Sequence, residues 1–529
     1  MVATRPRLIT ALADPRRYPH PADGVEVLET HISWVLLAGD FAYKVKKPVD
    51  LGFLDFSALA TRRRCCDEEV RLNRRTAPEL YLGVVPITGT DADPALGGAG
   101  PALEYAVKMR RFEQDALLDR VAQRGGLDAA LVDRLAARIA AFHAAVAVDP
   151  PDGPFGRPEA IAAQARENFD AVEELIGDPP EGPRLARLRR WTEGELARLA
   201  PVFEQRKAEG GVRECHGDLH LRNVALVGGE PTPFDCIEFS DALRWNDVVS
   251  EVAFLVMDVL DRGLPRAAFR FLNAYLEITG DHAGLAVLRP YLVYRAMVRA
   301  KVACIRAHQA GAGAGAQAEF QGYLALAERL TGLGRPAVVL MHGLSGSGKT
   351  TVAEALLARL GAVRLRSDVE RKRLHGLPAG ARTAGAVGGG IYDAETTRRT
   401  YERLAALAGA MAGAGWPAIV DAAFLRRAER DAFRAVAEEV GAPFAIVACG
   451  APEPVLRERL LRRAREARDP SEATVSVLEA QLHFAEPLGA DERSAVVDAA
   501  GAGPDLAERL GRRLRLPSPF PEDAPPGAS

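Results

Sequence analysis

At 529 residues the chain exceeds what one hydrophobic core supports, so two domains are expected, the first of them two-lobed. A hydrophobic share of 48% beside 26% charged residues is ordinary for a globular protein, and no run of about 18 apolar residues offers a membrane span. The net charge of -3 removes the electrostatic case for nucleic acid or an anionic membrane as partner.

Residues 1–25 read as an irregular lead-in. Glu29–Ala38 reads as a strand, Gly39-Asp40 as a turn and Phe41–Lys47 as a second strand, which makes a hairpin. Lys44 and Lys46 share one face of it because strand side chains alternate. Ser57–Thr76 reads as a helix carrying Glu68 and Glu69, and Arg62–Arg64 on it, like Arg462–Arg463 later, read as solvated helix faces. Two strands, Tyr81–Thr88 and Leu103–Met109, follow with a Gly/Pro/Asp loop between them. Helical spacing then runs from Asp115 to about Lys207, with His143 as a packed helix residue.

Next comes His216-Gly217-Asp218-Leu219-His220-Leu221-Arg222-Asn223. Val224–Val227 and Pro233–Ile237 read as short strands that present Asp218, Asn223 and Asp235 in one cleft. An Asp, an Asn five residues on and a second acid beyond a short strand is the layout of kinase-type phosphoryl transfer. One carboxylate takes the acceptor's proton, while the amide and the later acid hold Mg²⁺. Such a site also needs a strand lysine on the ATP phosphates, paired with a helix acid; Lys44 with Glu69 is preferred, with Lys46 and Glu68 as alternatives. Asp235 is preferred over Glu238 as metal ligand. Asp247 and Glu251 are expected to anchor the loop or cap the next helix. Helices fill 248–309, and GAGAGA (311–316) reads as a loop or flexible joint before a helix over 318–331.

The second domain opens with the apolar strand Ala337–Met341. Gly343-Leu344-Ser345-Gly346-Ser347-Gly348-Lys349-Thr350 then matches G-x-x-x-x-G-K-[ST] in full, with a helix Thr351–Leu360 behind it. Its glycines let backbone N–H groups wrap phosphates at a helix N-terminus; Lys349 reaches the β- and γ-phosphates and Thr350 binds Mg²⁺. Ala362–Arg366 is a second strand leading to Asp368, an acid placed to orient or deprotonate an acceptor hydroxyl or to cap its helix. Ala418–Asp421 ends in Asp421, an acid for Mg²⁺ or its water. Phe444–Cys449 and Ser494–Asp498 are further strands, and Pro504–Leu514 a closing helix. The basic helix Arg457–Arg468 reads as a lid, with Arg459 and Arg463 as phosphate contacts. The Pro-rich tail from Pro517 reads as disordered.

The expected fold is thus an α+β protein-kinase-like two-lobed domain over 1–333, an α/β P-loop domain with a parallel sheet over 334–516, and a tail, 517–529. The six cysteines (Cys65, Cys66, Cys215, Cys236, Cys304, Cys449) show no C-x-x-C pair or zinc spacing, which points to reduced, mostly buried thiols. The N-terminus lacks an apolar signal segment, so the expected location is the cytoplasm.

HGDLHLRN, FDCIEF and the lysine of FAYKVKK give the first domain a resemblance to the aminoglycoside phosphotransferase family and its choline-kinase-like relatives. That resemblance implies a kinase-like fold, Asp218 as catalytic base, Asn223 and Asp235 on Mg²⁺, and Lys44 with Glu69 on ATP. Leu221-Arg222 stands where the family usually has Pro-Gly. Ile237-Glu238-Phe239 stands where it has I-D-[FW], which keeps Glu238 open as the ligand. The second domain resembles P-loop small-molecule kinases of the gluconate kinase, zeta-toxin and chloramphenicol phosphotransferase types. The whole chain resembles bacterial bifunctional aminoglycoside phosphotransferase/ATP-binding fusions. The function expected is ATP-dependent transfer of the γ-phosphoryl group to hydroxyls of an unidentified small molecule at two sites. The alternatives are a sensor in which one domain controls the other, or a P-loop polynucleotide or protein kinase.

Overall fold

The computed structural model describes residues 5–50, 52, 54–176, 181–309, 314–381, 383, 390–466, 471–499 and 505–516. They fall into two compact units. One comprises Met1–Arg134, Ala141–Arg157 and Gln205–Leu255; the other comprises Leu135–Ala140, Pro158–Glu204 and Val256–Ser529.

The first unit is built on a six-stranded antiparallel sheet, β1 (Val25–Glu29), β2 (Ser33–Ala38), β3 (Phe41–Lys46), β4 (Tyr81–Thr90), β5 (Asp93–Leu96) and β6 (Glu104–Arg110), in the order β1-β2-β3-β6-β4-β5. The expected strand Glu29–Ala38 is β2 with a turn and the last residue of β1 before it. The Thr30 hydroxyl bonds to the Ser33 backbone and folds a tight turn between β1 and β2. The expected loop after β4 holds β5. The helix Leu59–Asn73 buries Arg62, Cys65, Cys66, Glu69, Val70 and Asn73, a stripe at helical spacing, and packs on β4 and β6. Arg62 is not on a solvated face: it donates to Glu104 and to the carbonyls of Phe56 and Ser57.

Beyond this sheet the same unit holds two small strand pairs. β7 (Val212–Glu214) pairs with β10 (Trp245–Asp247), and β8 (Val224–Val227) forms a hairpin with β9 (Glu230–Pro233). The strand expected over Pro233–Ile237 ends at Pro233, because Asp235 takes a φ of 63°, which no strand continues.

The second unit holds a parallel five-stranded sheet: β11 (Ala337–His342), β12 (Val363–Arg366), β13 (Pro417–Asp421), β14 (Phe444–Ala448) and β15 (Val496–Asp498), ordered β12-β13-β11-β14-β15. β11 and β13 are buried along nearly their whole length, as strands covered on both faces must be. Strand order switches at β11, with β12 and β13 on one side of it and β14 and β15 on the other, and such parallel sheets bind ligands at the C-terminal ends of their strands at such a switch.

Helices from the middle of the chain belong to this unit too. The helix Pro265–Thr279 packs on β12 and on the helix Lys349–Leu360. Asn273 accepts from Arg364 N at 2.7 Å and donates to Ala362 O at 3.2 Å, and Glu277 pairs with Arg364 at 2.6 Å. Trp416 Nε1 donates to Leu285 O at 2.8 Å. Of GAGAGA, residues 311–313 lie outside the described residues. The rest opens the helix Ala314–Thr331, as alanine's helix preference allows. The tail 517–529 also lies outside them. All six cysteines are buried, and none forms a disulfide among the described residues. No helix among the described residues is long and apolar enough to cross a membrane.

Candidate functional site

In the first unit β3 carries both lysines inward, and the helix Leu59–Asn73 brings Glu69, fully buried, against them. Lys44 Nζ donates to Glu69 Oε1 at 2.9 Å and to Asp235 Oδ1 at 2.5 Å. Lys46 Nζ donates to Glu69 Oε2 at 2.7 Å and to Glu238. Glu68 instead joins Arg71 and Arg244. Burial works to lower the Lys44 pKa, but the charges of Asp235 and Glu69 carry it well above the usual lysine range. Burial likewise works to raise Glu69, and Lys44 and Lys46 pull it down to about 2. Glu238 is raised, by burial above all.

The segment His216–Asn223 is held from several sides. Glu251 Oε1 accepts from His216 N at 2.8 Å and Gly217 N at 2.7 Å, while its Oε2 meets His143 Nε2 at 2.9 Å. Asp247 accepts from Arg206 at 2.7 and 2.8 Å and caps Val249 N. His216 Nε2 lies 2.8 Å from Phe234 O; a carbonyl only accepts, so this nitrogen carries the proton. Burial lowers the His216 pKa and keeps the ring neutral. Asp218, its side chain about one-third exposed, accepts from Asn223 Nδ2 at 2.8 Å and sits 3.3 Å from His220 Nε2. Phe234 N donates to Asn223 O at 2.9 Å, which pairs Asn223 with the residue before Asp235 at the open end of the β8–β9 hairpin. Asp235 N donates to Tyr81 OH at 3.1 Å, and Cys236 N to Asn73 Oδ1 at 2.9 Å.

The structure therefore brings Lys44, Glu69, Asp218, Asn223 and Asp235 to one unit, with Glu238 turned onto Lys46. Asn73, Tyr81 and the roles of His143 and Lys46 were not read from the sequence. Asn73 had a signal, since it lies one helical turn past Glu69. The oxygens of Asp235 and Asn223 are the hard donors a divalent cation takes, and Asn223's nitrogen is committed to Asp218. This donor set fits such an ion.

In the second unit the P-loop joins β11 to the helix Lys349–Leu360. Gly343, Gly346 and Gly348 have φ of 145°, 85° and 92°; a Cβ on Gly343 would lie 2.2 Å from Cys449 O, and one on Gly346 2.9 Å from Leu456 O. Only glycine fits there. Lys349 Nζ curls onto the carbonyls of Gly343 (2.7 Å) and Leu344 (2.9 Å). Burial lowers its pKa, and the charges of Asp421 and Asp368 partly offset this. The Ser347 hydroxyl is buried with no hydrogen-bond partner among the described residues, a donor suited to a phosphate oxygen. Thr350 and Thr351 open the helix. Asp421 ends β13 in register with Met341 and Arg366. Asp368 starts the helix Ser367–Leu374, and burial raises its pKa against a bond from Ser471. On the helix Glu453–Glu466, Arg459 reaches Gly346 O at 3.2 Å and Arg463 reaches Ala473 O at 2.9 Å. Gln481, unforeseen in the sequence, accepts from Ser345 N at 2.8 Å. Glycine cradle, orphan hydroxyl, lysine and acid together fit a cation-bound nucleotide triphosphate.

Residues 66–291 match the model of the phosphotransferase enzyme family, and residues 338–488 match that of an AAA domain. An uncharacterized protein of Mycobacterium tuberculosis is 29% identical over 476 residues, spanning 89% of this chain and 94% of that one. Among solved structures the chain is similar to a choline/ethanolamine kinase family protein from Mesorhizobium loti, at 15% identity and a TM-score of 0.38 over 61% of this chain and 92% of that one. It is also similar to a gluconokinase from Sinorhizobium meliloti, at 26% identity and a TM-score of 0.23 over 34% and 90%. The chain thus joins a region matching the phosphotransferase enzyme family to a P-loop region matching an AAA domain, and is a two-domain ATP-dependent phosphotransferase.

Proposed function

We propose that the chain transfers the γ-phosphoryl group of Mg²⁺-ATP to hydroxyl groups of a small molecule at two sites, in functional domains spanning 1–333 and 334–516. The observation that carries this reading is the first unit's constellation: Lys44 shared by Glu69 and Asp235, and Asp218 bonded to Asn223. Asp218 is the base that takes the acceptor proton as the new O–P bond forms and ADP leaves. Lys44, oriented by Glu69, holds the ATP phosphates. Asn223 and Asp235 would hold Mg²⁺ there; Thr350 and Asp421 would hold it at the second site. Bound Mg²⁺ neutralises phosphate charge. At the second site Gly343–Thr351 and Lys349 cradle the nucleotide, Asp368 orients the acceptor, and Arg459 and Arg463 of the lid helix would supply contacts to the transferring group. The net charge of -3 gives a nucleic-acid acceptor no electrostatic support, and the cytoplasm, where ATP is available, is the location this reading requires.

The test is incubation with Mg²⁺-ATP and a pooled metabolite and aminoglycoside library, read by mass spectrometry for products heavier by one phosphoryl group. Asp218→Ala and Lys349→Ala are run alongside. Products lost in one variant assign acceptor and site together. ATP binding at both sites with no phosphorylated product would favour a nucleotide sensor instead.

A further inference from the structure

Lys46 and Glu238 take no part in the chemistry just described, yet both are buried in the same network. Their side chains are 0% and 3% exposed. They extend it into an alternating series of charges: Asp235, Lys44, Glu69, Lys46, Glu238. Glu69 divides its carboxylate between the two ammoniums, Oε1 to Lys44 and Oε2 to Lys46. Lys46 also faces the ring of Phe56 at 5.1 Å, and that ring meets Phe239, next to Glu238, edge-on at 6.4 Å.

We propose that Lys46 and Glu238 are positioning residues of the first ATP site. Lys46 fixes the Glu69 carboxylate in the pose that orients Lys44, and through Glu238 it ties the segment carrying Asp235 to β3. The proposal rests on the reading of this site as an ATP site. Its logic is one of counter-charges. When Lys44 turns to nucleotide phosphates and leaves Asp235 to a cation, Glu69 still has Lys46 as partner and stays in place. Asp235 sits at a positive φ three residues before Glu238, so a fixed point at Glu238 limits where its carboxylate can stand. Stability alone does not explain the pair. A buried ion pair can often be exchanged for apolar side chains of similar volume without loss.

The test uses the full chain with Lys349→Ala to silence the second site. Lys46→Met/Glu238→Leu, Glu238→Gln and Lys44→Met are added in turn. Affinity for ATP with and without Mg²⁺ is measured by calorimetry, beside the thermal midpoint. The double variant is expected to keep its midpoint but bind Mg²⁺-ATP about 10- to 100-fold more weakly, as when a ligand's supporting residue is lost. Metal-free ATP should lose less, because the displaced Asp235 serves the cation. Unchanged Mg²⁺-ATP affinity in the folded double variant overturns the proposal. Should the double variant not fold, Glu238→Gln, which keeps shape and drops charge, decides: weaker Mg²⁺-ATP binding supports the proposal, and unchanged binding overturns it. If Lys44→Met also binds as before, the ATP-site reading falls and takes the proposal with it.

Discussion

In the function proposed above Lys44 and Lys349 share one task, and the structure surrounds them in opposite ways. Lys44 stands between two carboxylates in a network of side chains, and its pKa is carried well above the ordinary lysine value although burial opposes this. Lys349 rests on two backbone carbonyls in a glycine loop, and burial takes its pKa below that value. The first site is assembled from charges already balanced against one another. The second is a backbone cradle with one under-compensated cation, for which an anionic phosphate is the missing partner. Distance in the chain accounts for the difference. Lys44, Glu69 and Asp235 come from separate segments and must be fixed by mutual contacts, whereas Gly343–Thr351 is one continuous turn between a strand and a helix.

The sharpest way to break the comparison is to remove chemistry from one site alone. Asp218→Asn should lower first-site turnover by about 10²–10⁴ and leave second-site product formation intact in the mass-spectrometric assay. Equal loss at both sites would mean they are not separate centres.

Removing a balanced charge comes next. Glu69→Gln leaves Lys44 and Lys46 short of a partner in the interior and should cost about 3–5 kcal/mol in denaturant unfolding at pH 7. The sign of its pH dependence follows from the depressed pKa. The stabilisation Glu69 contributes is full above its unfolded value, ~4.3, and is lost as pH falls towards the folded value of about 2. The gap between wild type and variant should therefore narrow on acidification; a gap that widens below pH 4 would refute the pairing.

The backbone cradle has its own probe. Gly346→Ala forces a side chain to a φ of 85° and against Leu456 O, a strain of about 1–3 kcal/mol. It should weaken nucleotide binding at the second site and leave the first unchanged. The smallest effect is in pH. With one site silenced at a time, Mg²⁺-ATP affinity at the Lys349 site should begin to fall at lower pH than at the Lys44 site, because Lys349 gives up its proton first. Parallel curves would erase the contrast.

The same difference decided what could be read from the sequence. The P-loop and the strands around it were legible because the motif is contiguous and its glycines, lysine and threonine have fixed offsets. At the first site Asp218 and Asn223 were equally plain. The lysine and acid choices were not, because alternation puts Lys44 and Lys46 on one face and nothing local separates Asp235 from Glu238. A second buried ion pair beneath the first is a tertiary fact. The strand expected over Pro233–Ile237 failed at Asp235, whose left-handed backbone departs from its neighbours' pattern. Arg62 looked like a surface charge until β6 supplied Glu104. The joint expected at GAGAGA gave way, over its described part, to helix, because alanine-rich sequence suits helix as readily as linker.

The most direct test of the account is the number of Mg²⁺-ATP molecules bound per chain, measured by calorimetry on the full-length protein, on Lys44→Met and on Lys349→Ala. Two independent sites predict a stoichiometry of about two that falls to about one in either variant. A wild-type value near one, or a value that neither substitution changes, would contradict it.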